Sequence, residues 1–219
     1  MFARLPLTAL SLVLIAVSPV LAKDKTADPA PAVAETVTCE GVFGRTSSDA
    51  LVKETFGAEN VKTGIVYGAE GMEVMATTVY PDDPQRTMEF SWWDEDKLEY
   101  LGSVELSPSQ QTPTGVRIGM TVAEVEKING APFTVGGFWW DYGGNANFEK
   151  GTLVNSEDGC GFWIRFAPND EYPSDLNVDA VSGEVTVSSS EPLLKTLDVR
   201  VQSISVGYPY PEELPPQDY

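Results

Sequence analysis

The chain of 219 residues carries 33 Asp and Glu against 14 Lys and Arg, a net charge of −19, and contains no histidine. Such a charge repels nucleic acid and anionic lipid, leaving a cationic ligand or a basic partner surface as its complement and a solvated acidic surface as the plainer reading. Without histidine, Ser-His-Asp and Cys-His catalysis and His-ligated zinc are excluded, so an enzyme would have to use carboxylates, Tyr, Lys or Ser-Lys chemistry.

Residues 1–22 read as a secretory signal peptide: Arg4 is the charged start, 7–17 the apolar run and Val20-Leu21-Ala22 the small-residue cleavage pattern. Cleavage after Ala22 predicts a periplasmic chain of 197 residues; it removes one Arg and no acid, leaving 13 basic against 33 acidic residues. The apolar run is shorter than the roughly 20 residues of a membrane span, and no later stretch approaches that length. No cysteine follows the cleavage point to take a lipid. An oxidising compartment permits Cys39 and Cys160, the only cysteines, to form a disulfide worth about 4–5 kcal/mol in the chain-entropy model. Two buried free thiols are the alternative, and cysteines so far apart make a poor metal site. No motif asks for a cofactor.

Residues 23–38, rich in Pro, Ala and Thr, read as a flexible leader, with structure starting near Cys39. Thr46-Ser-Ser-Asp49 fits a capping box, and Leu51, Val52, Thr55 and Phe56 follow at helical spacing before Gly57, predicting a helix over 47–56. Strands are expected at 72–80, 87–93 and 98–106. In the second, Met88, Phe90 and Trp92 share one face against Glu89, Ser91 and Trp93. In the third, Leu98, Tyr100, Val104 and Leu106 oppose Glu99, Ser103 and Glu105. Residues 108–114, with two prolines and no apolar period, read as a linker. Gly119 to Gly130 then offers a second Thr-x-x-Glu cap and an apolar stripe of Val122, Val125 and Ile128. It aligns with the first helix start, Gly44 on Gly119, Thr46 on Thr121 and Asp49 on Glu124, which suggests a repeated helix-then-sheet unit. Strands at 133–142, 151–154 and 160–166 follow. The last has Cys160, Phe162, Ile164 and Phe166 on one face and Trp163 and Arg165 on the other. Residues 168–191 read as a long acidic loop with a short strand at 185–187. A final strand over 196–206 and a Pro-rich, extended or disordered tail at 207–219 close the chain.

The aromatic stretch 129–144 carries the functional argument. Successive strand side chains point to opposite faces, so Trp139 and Trp140 cannot both enter one core. The outward set, Trp93, Trp139 or Trp140, Tyr142, Trp163 and Arg165, has the residue types enriched at binding hot spots, and suits a protein, a peptide or a sugar ring. Packing of these rings under loops is the alternative. The acids beside them, Asp94, Glu95, Asp96, Asp141 and Glu149, bring up a glycosidase pair, while Asp94-Glu-Asp96 also reads as a charged hairpin turn. Asn169, Asp170, Glu171, Asp175 and Asp179 lack the EF-hand order, and read as a solvated loop. Gly136-Gly137 and Gly143-Gly144 are explained as a bulge and a tight turn, not as phosphate cradles.

Gly119-Met-Thr121, Glu124-Val125 and Gly130-Ala-Pro132, with the paired helix-then-sheet units, resemble the architecture shared by the β-lactamase inhibitor protein and the small lipoproteins of outer-membrane β-barrel assembly. The stretches NGAPFTVGGFWWDYGG and YPDDPQRTMEFSWWD, with Gly159-Cys160, look still more like a group of exported Gram-negative proteins of unknown function. The first resemblance implies recognition of a partner, such as a hydrolase, through an aromatic concave sheet face. The lipoproteins' lipid-bearing cysteine has no counterpart here.

The sequence therefore predicts an α+β protein of two tandem helix-plus-antiparallel-sheet units, 39–107 and 115–206, with helices on one sheet face. The expected function is a periplasmic binding or interaction module with a protein or peptide partner and no catalytic residues. A carboxylate-dependent enzyme acting on glycans and a purely structural exported protein are the alternatives.

Overall fold

The alternating apolar segments close into one six-stranded antiparallel sheet. The computed structural model describes residues 35–68, 71–155 and 159–216; the predicted signal peptide and most of the leader lie outside the described residues. The sheet takes β2 (Val61–Tyr67), β3 (Glu73–Val79), β4 (Met88–Asp94) and β5 (Glu99–Glu105) from the first half. It is completed by β9 (Gly161–Ala167) and β11 (Arg200–Gly207) from the second half, in the order β2-β3-β4-β5-β11-β9. The predicted boundary at 108–114 thus does not divide the sheet: β5 pairs with β11, and Ser107, Gln110 and Thr112 are buried. Gln110–Gln111 is β6, paired in parallel with β1 (Glu35–Thr36), and Val37 beside it is fully buried. Order therefore begins before Cys39, and the polar stretch read as a linker is part of the packed body.

The first helix, α1 (Asp49–Phe56), starts two residues later than expected. Its N-cap is Ser48, whose hydroxyl accepts from the Leu51 N–H at 3.3 Å, so there is no box at Thr46. Asp49 ties α1 to the sheet by accepting from Thr63 at 2.5 Å and from Thr77 at 2.9 Å. α2 (Val122–Asn129) matches its sequence signature: Thr121 and Glu124 form both halves of the capping box, and Gly130 ends the helix at φ 73°. The two helix starts are therefore displaced relative to the alignment of Thr46 with Thr121.

The second half does not repeat the four-stranded meander of the first. After α2 come β7 (Thr134–Gly136) and β8 (Ala146–Asn147), which with β10 (Thr186–Ser188) make a separate small sheet in the order β10-β7-β8. Its Phe133 stacks on Phe166 of β9 at 5.8 Å, so the small sheet and α1 bury the same side of the large one. Residues 151–154 are turns, not a strand. The predicted strand at 196–206 is instead a short helix, α3 (Pro192–Thr196), a turn at Asp198 with φ 44°, and then β11. The disulfide joins Cys39 to Cys160 across 121 positions. The described residues beyond the leader form one compact body, and no helix among them is long and apolar enough to cross a membrane.

Candidate functional site

Register decides which side chains share the face opposite α1. Residues directly opposite in a ladder point the same way. Trp163, Ser205, Glu105 and Glu89 therefore form one row across β9, β11, β5 and β4. The adjacent row is Gly161, Gly207, Ser103 and Ser91, continued by Ala76 and Gly64 to the far edge. A trough of small residues thus crosses all six strands. The Ser91 and Ser103 hydroxyls lie 2.8 Å apart and bond to each other.

Two of the predicted tryptophans stand over this floor. Trp163, 49% exposed, lays its ring along its own strand above Gly161, where an added Cβ would stand 2.8 Å from the ring. Trp93 lies on β4, three strand spacings or about 14 Å away. It reaches toward the end of β11, its indole N–H donating to the Tyr208 carbonyl at 3.0 Å. The tail read as extended or disordered docks here: Tyr210 meets Trp93 edge-on at 5.4 Å, its hydroxyl donates to the Pro215 carbonyl at 2.5 Å, and Pro211 is buried while Glu212, Glu213, Pro215 and Pro216 stay exposed. Tyr208 is buried, its hydroxyl sharing a bond between the Cys39 and Phe43 carbonyls, each 3.0 Å away. The result is a groove of about 620 Å³ between Trp163 on one side and Trp93 with Pro209 and Tyr210 on the other, with Glu95 and Asn155 at its rim. That volume falls within the range of small-molecule sites.

A bulge shapes the floor. Ser91 faces Ser103 but Trp92 faces Leu101, so Gly102 is the extra residue. The phase of β5 inverts there, and Leu101, not Leu98 or Tyr100, joins Val104 in the core. A matching irregularity between Val201 and Ser203 in β11 leaves Gln202 unpaired and moves burial from Val199 and Val201 to Ile204 and Val206.

Trp139, Trp140, Tyr142 and Arg165 form a second group, away from the groove. The expected strand 133–142 ends at Gly136, and Trp139 adopts φ 63°, so the alternation assumed for the tryptophan pair does not apply. Residues 137–144 fold as a compact loop against the β9 edge. Arg165 holds it, donating from Nε to the Gly143 carbonyl at 2.8 Å and from a terminal nitrogen to the Asp141 carbonyl at 3.1 Å. Gly144 fits because the Phe166 carbonyl lies where its side chain would be. Trp140 donates its N–H to the Gly137 carbonyl at 2.9 Å, while Trp139 stays 48% exposed beside Tyr172. A smaller cavity of about 290 Å³ is lined by Trp139, Trp140, Arg165 and Asp170.

The acids sort by environment. Asp94 accepts from Lys97 at 2.9 Å in the β4–β5 turn, and that bond holds its carboxyl below the usual range. Removal from water raises Glu89 and Glu105, with the charge of Glu105 adding to the effect at Glu89 and Arg165 opposing it at Glu105. Among the described residues no three acids or cysteines gather to hold a metal ion. Sequence reasoning missed Pro209 and Tyr210, whose signal was an aromatic residue set between prolines in a segment read as tail. Comparison with protein-family models, curated proteins and solved structures gives no match.

Proposed function

We propose that the protein is an exported, periplasmic binding or interaction module whose ligand seats in the groove between Trp163 and Trp93. The supporting observation is the convergence of two tryptophans over a glycine and serine floor, on a sheet face where, among the described residues, no helix residue lines the groove. Rings of this kind give large contact area at low entropic cost, and a concave apolar site with few polar groups is the usual form of a ligand pocket. The carboxylate-enzyme reading draws less support: a general acid needs a raised pKa, Asp94 is held low by Lys97, and Glu89 and Glu105, whose carboxyls are raised, do not line the groove.

The test compares immobilised parent and Trp163→Ala chains, challenged with an exported-protein fraction and a panel of hydrolases and small ligands. The expected result is a component retained by the parent and lost by the variant, with both melting within about 2 °C of each other. A variant melting more than about 8 °C lower would show the ring to be packing, and retention by both chains alike would remove the groove from recognition.

A further inference from the structure

We infer that the groove accepts an organic cation, a protonated or quaternary amine on an aliphatic body, held as a free small molecule between Trp163 and Trp93 with its charge toward Glu95. The inference rests on the binding reading above and adds the chemical class of the ligand. Glu95 is the one charged residue lining the groove among the described residues. Of the cations nearest to it, Lys97 is paired with Asp94 at 2.9 Å, Arg165 donates to the Gly143 and Asp141 carbonyls, and Arg45 lies over the Tyr208 ring at 5.5 Å; none of the three lines the groove. Among the described residues an anion therefore finds no counter-charge lining the groove.

A sugar is served poorly as well. The Ser91 and Ser103 hydroxyls are engaged with each other and with the Ser103 carbonyl, and the Trp93 N–H is used by the Tyr208 carbonyl, so few donors, Ser205 among them, remain to match the many hydroxyls of a sugar ring. What the groove presents is aromatic π surface and a carboxylate. A cation within about 6 Å of a tryptophan face is attracted by the ring quadrupole, most strongly when partly removed from water. Glu105 and Glu89, in the same row as Trp163, extend the negative potential along the sheet face.

The experiment titrates the full-length oxidised chain with choline and, separately, with its uncharged isostere 3,3-dimethylbutan-1-ol. The tryptophan indole N–H signals are followed by nitrogen-15 NMR. Choline is expected to shift the Trp163 and Trp93 signals and to bind at least about tenfold more tightly than the isostere. Glu95→Gln should weaken choline about threefold or more while leaving the isostere unchanged, which a structural role for Glu95 would not do. Equal affinity for both probes overturns the cation while leaving an apolar binding groove. Choline binding that persists in Trp163→Ala, or choline that moves neither indole signal, overturns the inference. In that last case the retention test on Trp163→Ala still judges the binding reading separately.

Discussion

Replacing Cys39 and Cys160 by alanine tests how the two halves are held together. The bond closes a loop of 121 positions, for which chain entropy gives about 5 kcal/mol. The native contacts around it do not depend on the link: Val37 is fully buried and donates to the Gln111 carbonyl at 2.9 Å, and the Cys39 carbonyl is held by Tyr208. The loss therefore falls on the unfolded chain, which gains freedom. With a urea slope of about 2 kcal/mol per M for a chain this size, the midpoint should drop by roughly 2.5 M or more, and the slope should rise as the unlinked unfolded chain exposes more surface. Urea unfolding followed by far-UV circular dichroism and tryptophan fluorescence reads this directly. A drop under about 0.5 M at unchanged slope would refute the loop argument, and would mean that the unfolded chain already keeps residues near 39 and 160 together.

Two further substitutions probe the sheet from opposite faces. Trp92→Ala removes a ring that is 3% exposed and whose N–H donates to Thr77 at 3.1 Å; it should cost about 3–5 kcal/mol in urea unfolding, where Trp163→Ala costs less than about 1. Similar losses for the two would reverse the assignment of faces. Glu105→Gln should raise the melting temperature at pH 7, since Glu105 faces Glu89 across the ladder and like charges directly opposite are unfavourable by roughly 0.2–1 kcal/mol. Its folded pKa lies above the unfolded value, so its contribution is fully present below the unfolded pKa and lost as pH rises through the folded one. The gain from Gln should vanish below pH 4.5, and an equal gain at pH 4 and pH 7 would exclude this origin.

Local chemistry was legible at α2, although at α1 the cap falls on Ser48 and not on Thr46. Thr121, Glu124 and Gly130 specify both ends of α2, and strict alternation in β4 and β9 identified Trp93 and Trp163 as outward. Features created by tertiary pairing were not. β2 was missed because it is an edge strand with no fully buried residue and a glycine at its centre, so no apolar alternation marks it. One extra residue at Gly102 and another at Gln202 flips the burial phase within a strand, which a pattern of period two cannot express. At Trp139 a left-handed backbone conformation on a bulky residue broke the strand; Gly136-Gly137 was the visible warning. Half of the candidate site was thus found from the sequence, while the tail that supplies Tyr210 carries no periodicity that would dock it on Trp93.

The position of β11 governs when this fold can exist. The last of the described strands lies between β5 and β9, so neither partner has its full set of backbone hydrogen bonds until residues 200–207 have arrived. A chain delivered from its N-terminus therefore carries an open β5 edge through most of its emergence. An unpaired edge recruits other strands, and pairings this distant in sequence form slowly. Strand order alone therefore delays closure of the sheet until its final strand is present.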